Sequence, residues 1–358
     1  MCASCRWRCA EPMRVVLVTD AWFPQVNGVV RTLNTVVEHM RRQDHEVLTI
    51  TPDLFRTIPC PTYPEIRLAL RPGPKMRKLM TDFAPEAIHI ATEGPLGQTA
   101  QRICRQENWP LTTSFHTKFP EYIHARARVP VSWTYAWMRR FHGRAERVMV
   151  ATPTIDRELR ARGFDNTVQW TRGVDTELFR PRPHDEWPDS LRDLPRPIQL
   201  YTGRVAVEKN IAAFLELDTA GTKLVVGDGP QRRELESRYP DVVFAGEQHG
   251  ESLARHFAAA DVFVFPSRTD TFGLVLLEAL ASGIPVAAYP VPGPLDVVGR
   301  DGPGWLSDDL EYAVKMALES ADPRHCREHA LGFSWERCVE MFVSYLAPIK
   351  RNRMGQAA

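Results

Sequence analysis

Residues 262–283 read VFVFPSRTDTFGLVLLEALASG. Val262 to Phe265 is a short apolar run of β-branched and aromatic residues, the composition of a strand covered on both faces. A loop opened by Pro266 follows, and from Leu274 the chain enters an apolar segment of helical length. Strand, loop and helix in that order are half of a parallel βαβ unit. Reading outward, the alternation continues both ways. Strands are expected around it at Ile198–Tyr201, Lys223–Val226, Val242–Ala245 and Pro285–Ala288. An earlier set runs through Arg14–Thr19, His45–Thr51, Ala87–Ile90, Leu111–Phe115 and Val148–Ala151, with helices near Val30–Met40 and Gly97–Glu107. The pattern predicts an α/β protein with two doubly wound parallel sheets in succession.

A chain of 358 residues suits two such domains better than one core. The first is expected over 13–179 and the second over 198–334. Between them, residues 180–197 hold five prolines, which reads as a stiff, non-helical linker. Residues 335–358 read as a closing helix and tail, the helix free to pack back on the first domain. Residues 1–12 read as a disordered extension. Cys2, Cys5 and Cys9 cluster there without a fourth ligand at a suitable spacing, so no metal site and no cofactor are expected. Cys60, Cys104, Cys326 and Cys338 are scattered, as reduced thiols are. Lys plus Arg (45) balances Asp plus Glu (44), which leaves no global excess for a nucleic-acid partner. No run approaches the roughly 20 apolar residues of a membrane-spanning helix, and no secretory signal is present, so a cytoplasmic location is expected.

Candidate chemistry lies at strand ends. Gly28, between the first strand and its helix, allows close backbone approach beside a helix N-terminus, an arrangement suited to a diphosphate or equally to a plain turn. In GRVAVEK (203–209), Arg204 and Lys209 can converge on one phosphate, the first as a fork and the second as a point charge. Asp270 and Glu278 lie eight residues apart. Phe272, Gly273 and Leu274 can offer N–H groups where the helix begins, and Glu278 falls among Leu276, Leu277, Ala279 and Leu280. An acid there is costly unless a ligand or an ion pair meets it. His116 ends a strand and can face a cleft, or serve as a satisfied structural histidine. Residues 226–230, VGDGP, form either a ligand-facing loop or a tight turn.

Taken in order, these motifs resemble the family-4 retaining glycosyltransferases of GT-B fold, two Rossmann-like domains facing across a cleft. The resemblance rests also on DAWFPQVNG (20–28), HIATEGPLG (89–97), FHTKFP (115–120) and RGVDTELF (172–179), and spans Met13 to about Tyr345. It is strongest toward diacylglycerol glycosyltransferases, sulfoquinovosyltransferases and related mannosyltransferases. It implies a nucleotide-sugar donor, with a UDP-sugar favoured and GDP-mannose the alternative. Gly28 would lie at the diphosphate and Arg204 with Lys209 would neutralise it. Asp270 would contact the sugar, Glu278 the ribose, and His116 the reacting sugar. Gly246, Glu247 and Gln248 would lie beside the base. Asp270 stands where the family has a glutamate, one methylene longer. No Asp-x-Asp occurs, so the resemblance implies transfer without a metal.

For the acceptor, residues 124–147 carry Arg126, Arg128, Arg139, Arg140, Arg144 and Arg147 against the single acid Glu146. Trp133, Trp137 and Phe141 recur every four residues. Such a helix either lies on an anionic bilayer or buries its aromatic stripe in a core. Residues 67–78 add five cations and no acid. A lipid such as diacylglycerol is the expected acceptor, with a soluble glycan as the alternative, and a peripheral position at the inner membrane face follows. A GT-B nucleotide-sugar epimerase and a catalytically silent binder are the rivals. A dinucleotide oxidoreductase fails, because Gly227-Asp-Gly229 lacks its third glycine.

Overall fold

The computed structural model describes residues 11–25, 27–60, 63–121 and 128–350. The expected extension with its three cysteines, apart from Glu11 and Pro12, lies outside the described residues, as does Arg126. Two six-stranded parallel sheets dominate. The first contains β1 (Arg14–Val18), β2 (Glu46–Ile50), β5 (Ala87–Ile90), β6 (Thr112–Phe115), β7 (Arg147–Val150) and β8 (Thr167–Gln169), ordered β2-β1-β5-β6-β7-β8. The second contains β9 (Ile198–Thr202), β10 (Thr222–Val226), β11 (Val243–Gly246), β12 (Val262–Phe265), β13 (Val286–Ala288) and β14 (Gly304–Leu306), ordered β11-β10-β9-β12-β13-β14. An antiparallel hairpin, β3 (Thr57–Cys60) with β4 (Tyr63–Ala69), is inserted in the first half.

Strands β5, β6, β9 and β12 are buried at every position, as strands covered by helices on both faces must be. Strand order reverses between β1 and β5 in one sheet and between β9 and β12 in the other. Ligands of open α/β sheets bind at such switch points.

Six further helices position the site and the surface around it. They are α1 (Gly28–Arg42), α2 (Gly73–Phe83), α3 (Pro95–Glu107), α4 (Val131–His142), α5 (Pro153–Ala161) and α6 (Leu274–Ala281). Helix α1 buries Val30, Leu33, Val36, Val37 and Met40, an i, i+3, i+4 stripe. Asn27 caps it by accepting from Val29 N and Val30 N at 3.0 Å each. Two more elements, α7 (Pro292–Val297) and α8 (Trp335–Tyr345), complete the frame.

The chain crosses between the sheets twice at one place. Val174 N donates to Phe333 O at 3.1 Å, and a Cβ on Gly173 would stand 2.3 Å from Trp335 N, so only glycine fits. Beyond the return crossing, α8 packs on the first domain. Cys338, Val339, Phe342 and Val343 share a core with Val15, Leu17, Leu33 and Trp170, whose Nε1 donates to Cys338 O at 3.0 Å. The proline-rich stretch corrects one expectation, since it is not free of helix. It holds a 3-10 turn at His184–Glu186 and a helical turn at Asp189–Arg192, and Leu191 is buried in the second core. Pro188 lies just before the first helical residue, where its missing N–H costs nothing.

Candidate active site

Two loops leave the switch point of the second sheet side by side. After β9, Gly203 has φ +140°, and the Tyr201 hydroxyl donates to Arg204 O at 2.8 Å, fixing the backbone that carries the guanidinium. Neighbouring loops leave no room for side chains: a Cβ on Gly227 would stand 1.9 Å from Gly203 O. The chain then makes a 3-10 turn at Val207–Lys209. The loop after β12 is tied to it by three contacts. Asn210 Nδ2 donates to Pro266 O at 3.1 Å, Thr269 Oγ1 donates to Glu208 O at 3.3 Å, and Lys209 Nζ pairs with Asp270 Oδ1 at 2.6 Å. That loop runs into α6 through Gly273, whose φ of +84° suits glycine. No side chain caps α6, so its opening N–H groups are available to an anion.

Glu278 lies one turn further on, 2% exposed amid fully buried Leu276, Leu277, Ala279 and Leu280. Across the cleft, Arg31 of α1 pairs with its Oε1. Glu278 Oε2 and Asp270 Oδ2 are both closed from solvent and lack hydrogen-bond partners among the described residues. Two carboxylates, each half satisfied, thus flank an uncapped helix start. The opposite wall is close: a Cβ on Gly28 would meet Leu274 Cδ1 at 3.8 Å.

The first domain contributes His116 at the end of β6. Arg172 Nη2 lies 3.4 Å from His116 Nδ1. A guanidinium only donates, so Nδ1 accepts and the ring proton sits on Nε2. That Nε2 is buried and has no partner among the described residues. Burial first, and then the Arg172 charge, hold the imidazole pKa well below its ordinary value, so the ring is neutral. Arg172 is itself buried, lies 4.0 Å over the Trp170 ring and donates to Thr171 O at 3.0 Å, while burial lowers its pKa to about 10. His116 O accepts from Thr271 Oγ1 at 2.7 Å, which places the imidazole beside the loop bearing Asp270. Two further contacts cross the cleft: Thr154 N and Thr154 Oγ1 each donate to Asp296 of α7 at 2.9 Å.

At the first sheet's switch point, Asp20 accepts from Leu96 N at 2.9 Å, Gly97 N at 3.3 Å and Thr92 Oγ1 at 2.9 Å. It caps α3 from the loop that follows β1, and burial still raises its pKa. Its neighbour Glu93 is bound to buried His142 Nε2 at 3.0 Å.

Gly28, His116, Arg204, Lys209, Asp270, Phe272, Gly273, Leu274 and Glu278 therefore lie on the facing loops and helix starts of one cleft. The Phe272 side chain is buried in the second core, which leaves its backbone for a ligand. Gly246 has φ +73° at the end of β11. Beside it, Gln248 spends its side chain on Ala245 O at 2.9 Å and on Ser252 Oγ at 2.6 Å, so base contacts would fall to the backbone. Glu247 is exposed and lies 3.6 Å from His249. Asp20 and Arg172 open motifs that carry the resemblance and Arg31 stands one turn beyond Gly28, but none was assigned a role from the sequence, because their partners are remote in the chain.

Trp133 and Trp137 stand outward on α4, 70% and 45% exposed, while Phe141 is buried, so the aromatic stripe is not one core face. Arg128, Arg140 and Arg144 are exposed near them in sequence, Arg144 donating to Gln101 at 3.3 Å. In the other basic stretch Arg67, Lys75, Arg77 and Lys78 all have protein partners.

Among the described residues no helix is long and apolar enough to cross a membrane. Residues 26–178 match the model for Glycosyltransferase Family 4, and residues 196–319 that for Glycosyl transferases group 1. A GDP-mannose-dependent alpha-mannosyltransferase of Mycolicibacterium smegmatis is 33% identical over 96% of this chain and 100% of its own length. An alpha-monoglucosyldiacylglycerol synthase of Streptococcus pneumoniae is 28% identical over 86% of this chain and 78% of its own. The sucrose-phosphate synthase of Thermosynechococcus elongatus superposes with a TM-score of 0.75 at 22% identity, covering 93% of this chain and 98% of that one, and shares its GT-B fold. The chain belongs to the family-4 glycosyltransferases.

Proposed function

We propose that the chain transfers a mannosyl unit from GDP-mannose to a lipid at a membrane surface, with retention at the anomeric carbon and without a metal. The observation that carries the donor site is the set of half-satisfied groups around the uncapped start of α6: Glu278 Oε2, Asp270 Oδ2 and His116 Nε2, all buried without partners. A sugar nucleotide offers what each lacks. Ribose hydroxyls donate to Glu278, sugar hydroxyls donate to Asp270 and accept from His116 Nε2–H, and the diphosphate takes the α6 N–H groups with Arg204 and Lys209. As the bond to the anomeric carbon breaks, these donors stabilise the departing phosphate. A phosphate oxygen then accepts the acceptor hydroxyl's proton on the face it has left.

GDP-mannose is preferred over the UDP-sugar that the sequence favoured, because the mannosyltransferase relative aligns end to end. The lipid acceptor is supported by the diacylglycerol-synthase relative and by Trp133 and Trp137 exposed on a helix rich in arginine.

The test is nucleotide release by purified protein from GDP-mannose, UDP-glucose, UDP-galactose and UDP-glucuronate, with diacylglycerol in mixed micelles and chelator present. Lipid-dependent release from GDP-mannose, with an α-linked product by NMR, is expected. Glu278→Ala and Lys209→Ala should each lose most turnover, roughly a hundredfold or more. Release from a UDP-sugar alone would replace the donor, and silence with all four would remove the lipid.

A further inference from the structure

Arg31 and Glu278 form an ion pair between the two domains that has an unequal structure. The Glu278 side chain is 3% exposed, while the Arg31 side chain is 43% exposed. A guanidinium presents a fork that can satisfy both oxygens of a carboxylate. Here Oε1 is engaged and the buried Oε2 has no partner. The pair therefore leaves a buried acceptor unmet, although the Glu278 charge pushes the Arg31 pKa up. Arg31 also springs from the second turn of α1, whose first residue, Gly28, faces Leu274 at the start of α6. A diphosphate held between those helix starts would lie beside Arg31, and its other cations, Arg204 and Lys209, both come from the second domain.

We propose that Arg31 is a third cation of the donor site, supplied by the N-terminal domain. In this structure it pairs with Glu278. When the nucleotide's ribose hydroxyls take that carboxylate, the guanidinium transfers to the donor's diphosphate. This rests on Glu278 being the ribose partner. The exchange replaces one ion pair by another, and it satisfies Oε2, which Arg31 leaves bare. It also makes the donor itself a bond between the domains, because the ribose is held by α6 and the diphosphate by α1.

The test is calorimetric titration of the full chain, as wild type, Arg31→Gln and Arg31→Lys, with GDP, guanosine, UDP and uridine at low and high salt. For whichever base the wild type binds, Arg31→Gln should weaken the diphosphate on the order of tenfold and flatten its salt dependence. The nucleoside should bind Arg31→Gln as well as the wild type or more tightly, because no cation competes for Glu278. Arg31→Lys should keep the diphosphate within about threefold of wild type, retaining the charge without the fork. Equal affinity of wild type and Arg31→Gln for the diphosphate would overturn the proposal. So would a proportionate loss of nucleoside and diphosphate, the mark of a merely structural role. A wild type that binds neither diphosphate would instead take down the donor site as a whole.

Discussion

At the scale of single residues, the least replaceable relation in the cleft is that of Arg172 to His116. A cation that only donates decides which ring nitrogen is protonated, and its charge adds to the larger effect of burial in keeping the ring neutral. The sign of the pH effect follows. His116 titrates well below 6.5, so kcat/KM of the wild type should stay level as pH falls through that value, dropping only in stronger acid. Arg172→Met removes a positive neighbour, which favours the imidazolium, so the acid limb should move up toward neutrality and kcat should fall at least tenfold. Arg172→Lys keeps the charge and should leave the limb in place. A wild-type limb centred at the ordinary imidazole value would sink this account. Sequence alone made Gly28, Lys209, Asp270 and Glu278 legible, because each sits in a short motif. Arg31 and Arg172 act on residues reached only through the fold, His116 being 56 positions from Arg172, and no local pattern records such a pairing.

At the scale of elements, the uncapped α6 contrasts with α3, whose first turn Asp20 holds from the loop after β1. The latter fit depends on glycine: a Cβ on Gly97 would stand 1.9 Å from Thr92 O. Gly97→Ala must displace the α3 start and strip N–H bonds from a buried carboxylate, a loss of about 2 kcal/mol or more. A melting temperature several degrees lower is expected. Gly73→Ala is the control, since its Cβ would meet only Thr99 Cγ2, at 3.9 Å, and its melting curve should be unmoved. Equal melting of both variants would refute the packing argument. The buried strands were legible to within a residue or so, as apolar runs are. Strands β8 and β14 were not, because three-residue strands with partly exposed positions carry no such run. The β3–β4 hairpin escaped as well, being an insertion outside the βα alternation.

At the scale of the whole molecule, two sheets could be foreseen because the alternation restarts. The contacts that close them on each other could not. Thr271 to His116 O and Thr154 to Asp296 join residues more than a hundred positions apart. On the outer surface, the exposure of Trp133 and Trp137 has no counterpart in the folding argument, since neither is buried. Replacing both by serine should leave the melting temperature within a degree or two and reduce flotation with anionic vesicles severalfold, with micellar turnover falling in parallel. Unchanged flotation would remove α4 from the membrane surface.

The return of α8 to the first sheet bears on how the protein is made. Val15 and Leu17 leave the ribosome ahead of the rest of both sheets, and Phe342 and Val343, which cover them, emerge after the second sheet is complete. The first sheet thus waits with part of its core exposed until the second sheet has been made. A message broken just before the codon for Trp335 would yield a chain that has the second sheet but lacks the residues that close the first core.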